Sequence, residues 1–268
     1  MKHISFAKPG PMIPFDGERC TPWVSTPILS AHVHRYLSAL KLCHNKRVLD
    51  IACGEGYGSA MLARNGAASV TGVDIDATSI ARAEKVYACE GLSFAQADVR
   101  RPLPFENDAF DVVISFETLE HITEQQAFVK ELKRVLSPSG VMIISTPDKA
   151  LSDPGAPNPY HERELGEDEF LTLINSEFSY VTKAYQGYHL GSVISGDTEG
   201  EDHWQRQGFL DWAMDGGKAQ RRYIIALASD AGEFRLPKGL VHDGFIVASL
   251  NKRIRELEAE LERLQRHE

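Results

Sequence analysis

Between residues 32 and 228 the chain alternates short apolar runs with stretches whose apolar residues recur at helical spacing. Lys46 to Ala52, Ser69 to Asp74, Leu92 to Gln96, Phe110 to Ser115 and Val141 to Ser145 have strand length and end in turns or polar residues. Between them, helices are expected over about His32 to Leu42, Ser59 to Asn65, Thr78 to Cys89, and from Thr123 to near Leu136, before Pro138 and Gly140. Thr123-Glu124-Gln125-Gln126 resembles a capping box that would start the last of these. Phe110 to Ser115 is almost wholly apolar, as a strand covered on both faces should be. A helix near Glu167 to Asn175 and strands near Phe178 to Tyr185 and Arg221 to Ala228 would finish the sheet. Repeated strand–helix pairs with short turns predict an α/β fold, a doubly wound, mostly parallel sheet with helices on both faces.

The flanks break this rhythm. Residues 1–30 are rich in Pro and Gly without periodicity and read as an arm over a domain of residues 31–245. Residues 187–220 carry Tyr188, His189, Trp204 and Trp212 without a period, which suggests an acceptor lid whose aromatics stack on sugar faces or simply pack it down. In 246–268, Leu250, Ile254, Leu257, Leu261 and Leu264 follow the 4-3-4-3 spacing of a coiled-coil seam, with Arg253 and Glu258 placed to pair across a parallel dimer. A homo-oligomer, or continuation of the coil into another module, is the expectation. A single amphipathic helix packed on its own domain is the alternative.

Composition narrows the partners. With 43% hydrophobic and 25% charged residues the chain can build a sizeable core. A net charge of −9 argues against a nucleic-acid surface, which needs clustered Lys and Arg. No apolar run approaches the ~20 residues of a membrane span, and Met1 to Gly10 lacks the apolar stretch of a secretory signal. Cys20, Cys43, Cys53 and Cys89 show no metal spacing, which favours free thiols in a reducing, cytoplasmic setting.

The candidate chemistry begins with Val48-Leu49-Asp50-Ile51-Ala52-Cys53-Gly54-Glu55-Gly56-Tyr57-Gly58. Glycines at 54, 56 and 58 allow a tight turn and a close backbone approach to a ligand. Two carboxylates here, Asp50 and Glu55, would repel a pyrophosphate but suit a ligand carrying an ammonium and a sulfonium. Asp74 ends the second strand 18 residues after Gly56, where ribose hydroxyls bind in Rossmann-type folds, with Ile75 beside it. Asp98 follows the third strand, placed to accept an adenine amino group while Val99 offers its backbone N–H. Three acids at successive strand ends converge on the crevice where open α/β sheets bind ligands.

These motifs, with Gly-Val-Asp-Ile-Asp and Arg-Val-Leu-Ser-Pro-Ser-Gly, resemble the class I S-adenosylmethionine-dependent methyltransferases over roughly Arg35 to Pro147. The resemblance implies a Rossmann-like, seven-stranded sheet in the order 3-2-1-4-5-7-6, its last strand antiparallel. It implies S-adenosylmethionine as cofactor, read by Asp50, Ala52, Gly54, Gly56, Asp74, Ile75, Asp98 and Val99 and flanked by Phe116. It also suggests that Arg35, in His34-Arg35-Tyr36, pairs with the donor carboxylate.

Phe116-Glu117-Thr118-Leu119-Glu120-His121 follows the fourth strand. Spacing i, i+3, i+4 would put Glu117, Glu120 and His121 on one face of a helical turn. The pattern resembles the Glu-x-x-Glu-His plus distant His of the small-RNA 2'-O-methyltransferases and the ubiquinone-pathway O-methyltransferases. That implies Glu117, Glu120, His121 and His161 as ligands of a divalent metal such as Mg or Mn. Without a metal, His121 or His161 would be the proton acceptor, and a helix cap is the bland role for His121. The glycine turn, Ser-Phe-Glu-Thr-Leu-Glu-His and Ser-Thr-Pro are also similar to methyltransferases of bacterial surface-polysaccharide clusters, which implies O-methylation of a glycan, including a chain-terminal cap. Two other readings stand beside it: a small-molecule methyltransferase of the quinone or secondary-metabolite kind, and a non-catalytic donor-binding module with a coiled-coil partner.

Overall fold

A computed structural model describes residues 27–152, 158–188, 192–196, 221–236 and 239–241. The expected arm up to residue 26, most of the 187–220 lid with His189, Trp204 and Trp212, and the 246–268 coiled coil lie outside the described residues.

The alternation runs α1 (Pro27–Cys43), β1 (Arg47–Ile51), α2 (Tyr57–Arg64), β2 (Ser69–Asp74), α3 (Ala77–Tyr87), β3 (Leu92–Gln96), β4 (Phe110–Phe116), α4 (Gln125–Val135), β5 (Leu136–Pro147), α5 (Glu167–Asn175), β6 (Tyr180–Tyr188), β7 (Ser192–Gly196), β8 (Arg221–Ser229) and β9 (Gly239–Val241). Successive strand residues point to opposite faces, and the sequence uses both. Leu49, Val113, Met142 and Ile144 pack against Phe128, Leu132, Phe170 and Ile174 of α4 and α5. Val48, Val112, Ile114 and Ile143 pack against Ala39, Met61, Leu62 and Ala83 of α1, α2 and α3. Burying a Val, Leu or Ile is worth about 1.5–3 kcal/mol, so this two-sided pattern drives the layering.

Among the described residues the sheet has nine strands in the order β3-β2-β1-β4-β5-β8-β6-β7-β9. Its first seven are the Rossmann-like methyltransferase arrangement, with β8 antiparallel to both β5 and β6. β7 pairs antiparallel with β6, and β9 with β7, so the sheet is two strands wider than the seven expected. β7 lies inside the stretch read as a lid. Edge pairing rests on backbone hydrogen bonds, which leave little trace in side-chain periodicity. The capping-box reading also needs correction. Glu124 is the N-cap of α4 without a side-chain cap bond, and the Thr123 hydroxyl donates to the Glu124 carboxylate. No helix among the described residues is long and apolar enough to cross a membrane.

Candidate active site

β1 and β4 lie side by side at the centre of the sheet, and each leaves it through a left-handed residue that is not glycine. Ala52 has φ 55° and Glu117 has φ 54°. Such conformations cost roughly 1–2 kcal/mol apiece; here they turn the chain at the carboxyl edge, where parallel sheets bind ligands. Between these turns lies a cavity of about 530 Å³, lined among others by Ala52, Gly54, Asp74, Ile75, Asp98, Val99 and Phe116. Seven of the ten residues expected to read the donor therefore share one wall.

The acids do different work within it. Asp74 Oδ2 accepts the Gly54 N–H at 2.8 Å and Oδ1 accepts the Asp76 N–H at 3.0 Å, so the second strand end holds the glycine turn in place. Asp98 accepts from the Arg100 guanidinium and backbone N–H. Those donors hold its carboxyl below the usual range.

The other three expected donor residues, Arg35, Asp50 and Gly56, support the cavity from behind. Asp50 is buried and accepts hydrogen bonds from Ser59 Oγ at 2.6 Å and Tyr36 Oη at 3.0 Å. Burial nevertheless pushes its carboxyl up to about 6, the two hydroxyl donors opposing that rise. Gly56, at φ 79°, caps α2, and a Cβ there would lie 2.8 Å from Ala83 and Phe94. Arg35 is fully buried. Its Nη1 donates to Glu117 Oε1 at 2.6 Å and to Ser145 Oγ at 3.0 Å, and its guanidinium lies over the Tyr223 ring. Glu55 also departs from expectation: wholly buried, it pairs with Arg82 of α3 at 2.5 Å. It anchors the glycine turn and presents no charge to a ligand.

Past β4 the chain forms a 3₁₀ turn, Leu119–His121. Glu117 precedes it in the left-handed region, so the expected single helical face of Glu117, Glu120 and His121 is not formed. Glu120, His121 and His161 do converge, each offering a ligand atom within 4.8 Å of the others. The His121 and His161 rings stand 5.0 Å apart, edge to face. His121 Nδ1 lies 2.9 Å from the Tyr160 carbonyl, and His161 Nδ1 lies 2.5 Å from Glu164 Oε1. Glu120 is buried and accepts from Thr146 Oγ1 at 3.1 Å. Desolvation and the nearby Glu117 drive its carboxyl well above the usual range. A cation beside Glu120 would offset that repulsion, and it would replace the contact of His161 Nε2 with Asn158 Nδ2 at 3.0 Å. Glu117 is drawn to Arg35 and Ser145 and stands outside that trio.

A second cavity of about 360 Å³ opens beyond Glu117, with Glu120, Asp148, Asn158, His161, Arg222 and Tyr223 in its walls. His32 of α1 and Glu117 line both cavities. Periodicity did not single out His32 or Tyr223. His32 lies one helical turn before Tyr36, which was the available sequence signal. Tyr223 arrives through antiparallel pairing of β8 with β5, where Pro147 opposes it.

Residues 49–144 match a family model described as a methyltransferase domain. A probable S-adenosylmethionine-dependent methyltransferase of Mycolicibacterium smegmatis is 33% identical over 173 residues, covering 61% of this chain and 64% of that protein. A ubiquinone biosynthesis O-methyltransferase of Chelativorans sp. is 34% identical over 125 residues, 46% of this chain and 49% of that protein. The chain thus spans between about half and just under two thirds of these relatives' length. An S-adenosylmethionine-dependent methyltransferase from Mesorhizobium loti shares the fold, with a TM-score of 0.55 at 18% identity over 76% of this chain and 99% of that one. The strand order and the family match agree: residues 49–144 are similar to a methyltransferase domain and carry its Rossmann-like strand order.

Proposed function

We propose that this chain is an S-adenosylmethionine-dependent O-methyltransferase acting on a hydroxyl of a sugar or surface polysaccharide. The observation that carries this reading is a donor cavity that meets, at His32 and Glu117, a second cavity with charged and polar side chains in its walls. Donors and acceptors such as Asp148, Asn158 and Arg222 in its walls suit a hydroxyl-rich acceptor. The acceptor oxygen attacks the methyl carbon as the carbon–sulfur bond breaks. The bonding pair stays on sulfur, which becomes a neutral thioether, and the hydroxyl proton leaves to a nearby base. His121 lines the donor cavity and His161 the second one, and both are imidazoles of the kind that accept such a proton. Glu120, His121 and His161 would hold a divalent cation, whose chemistry when bound is to polarise and orient a hydroxyl.

A second reading, a small-molecule O-methyltransferase, is favoured by the likeness to the ubiquinone-pathway relative and by the Phe116 and Ile122 walls of the donor cavity. S-adenosylhomocysteine release separates the two, with methyl glycosides of common hexoses as one acceptor set and catechol as the other, each with manganese or excess chelator. Turnover on glycosides supports the first reading, and turnover on catechol alone replaces it with the second. Chelator-resistant turnover removes the metal and leaves a histidine base. No turnover on either, with donor bound, would favour a donor-sensing module.

A further inference from the structure

We infer that His32 is a catalytic residue, contacting the acceptor hydroxyl where the two cavities meet and taking its proton as the methyl group transfers; this rests on the proposed O-methyl transfer. Position carries the inference. A methyl group must cross from donor to acceptor at the junction of the two cavities, and among the described residues only His32 and Glu117 line both. Glu117 is committed to Arg35 and Ser145 through one carboxylate oxygen. Of the imidazoles, His121 lines only the donor cavity and His161 only the second, so among the described residues His32 is the one that lines both and takes the proton in their place.

Its placement is rigid. One helical turn further along α1, Tyr36 Oη is bonded to Asp50 at 3.0 Å. Arg35, on the same stretch, is bonded to Glu117 at 2.6 Å. The helix carrying His32 is therefore pinned to the ends of both β1 and β4. Arg35 on its own helix is the charge acting on His32, and Glu117, Glu120, Asp148, Glu164 and Arg222 share the walls of the second cavity with it. Burial and the Arg35 charge hold the imidazole well below its ordinary value, so it is neutral with a lone pair available. A weak base suffices here. As the carbon–oxygen bond forms, the oxygen becomes an oxonium, far more acidic than an imidazolium. The sulfonium loses its positive charge as His32 gains one, so charge is conserved in the pocket, and the proton then passes to solvent.

The test compares wild type, His32→Ala and His32→Gln with methyl hexosides and catechol as acceptors. Donor affinity is measured by calorimetry with S-adenosylhomocysteine. The expected result is a fall in kcat of about 100-fold or more in both variants. Donor affinity and unfolding midpoint should stay near wild type, and Gln should fail to rescue because it accepts a hydrogen bond but no proton. Undiminished kcat in His32→Ala overturns the inference while leaving the O-methyl reading intact. Loss of donor binding or of folding in both variants overturns it too, since His32 would then be structural. If wild type turns over neither probe, the O-methyl reading fails first. The His32 ring resonance, assigned by its loss in His32→Gln, then decides the placement: it should move when S-adenosylhomocysteine is added, and an unmoved resonance overturns the inference.

Discussion

Arg35 Nη1 lies 2.6 Å from Glu117 Oε1, an ion pair that ties the first helix to the end of the central strand across 82 residues of sequence. Arg35 has no exposed surface and Glu117 very little. Glu117 lines both cavities, and the pair braces its side chain there. Removing one partner of a buried pair leaves an uncompensated charge. Glu117→Gln should therefore destabilise the fold by about 3–5 kcal/mol, read from urea unfolding. Asp111→Asn, which breaks the exposed Arg47–Asp111 pair, should cost less than about 1 kcal/mol. Equal effects would mean that Arg35 finds compensation elsewhere.

Asp50 should make stability depend on pH. Its carboxyl is raised from 3.8 to about 6 in the fold, chiefly by burial. Folding therefore favours the protonated form. That contribution is fully present below about pH 4 and is lost as pH rises through about 6. The shift corresponds to about 3 kcal/mol at 1.36 kcal/mol per pH unit. Asp50→Asn keeps a neutral, similarly shaped group. The difference in unfolding free energy between wild type and this variant should grow in the variant's favour from pH 4 to pH 7. A flat difference across that window would contradict the assignment.

Gly58 opens α2 directly against α1. A Cβ at this position would sit 2.0 Å from the Tyr36 ring, whose hydroxyl holds Asp50. Gly58→Ala must displace the ring and that hydrogen bond together. A loss of about 1–3 kcal/mol in stability is expected from overpacking, with weaker S-adenosylhomocysteine binding by calorimetry. Unchanged binding with lowered stability would separate Tyr36 from the donor site.

Asp74 has two tasks, bracing the Gly54 N–H and facing the donor cavity. Asp74→Asn should weaken donor binding by about 10- to 100-fold, the scale of hydrogen bonds to a charged group. Asp98→Asn should weaken it less, because Asp98 is already shared with the Arg100 guanidinium. The reverse order in calorimetry would reassign the principal donor acid.

For the cation, excess manganese should raise the melting temperature of wild type, as a ligand bound only to the folded state does. Glu120→Gln and His161→Ala should abolish the rise, while Glu117→Gln should keep it from a lower starting temperature. A rise that survives Glu120→Gln would place any ion elsewhere.

Much of the scaffold was legible in the sequence because burial has a period. Two-sided strands such as Phe110–Phe116 and one-sided helices such as Gln125–Val135 carry their faces in residue order, so the element order up to β5 and the acids at the strand ends could be read directly. The cavity wall at their carboxyl ends followed from them, since a parallel sheet puts its loops along one edge. What residue order could not express is which distant side chains answer one another. Glu55 looked like a donor-facing acid, and folding brings it onto Arg82. Glu117 looked like a ligand, and folding turns it toward Arg35. His32 gains its place only when α1 lies across the ends of β1 and β4, and Tyr223 only when β8 pairs with β5. Local periodicity determined the layers, because each residue's burial depends on its own face of the strand or helix. Tertiary contact alone decided the partners of the buried charges, because a charge taken from water is satisfied by whatever the packing brings within reach.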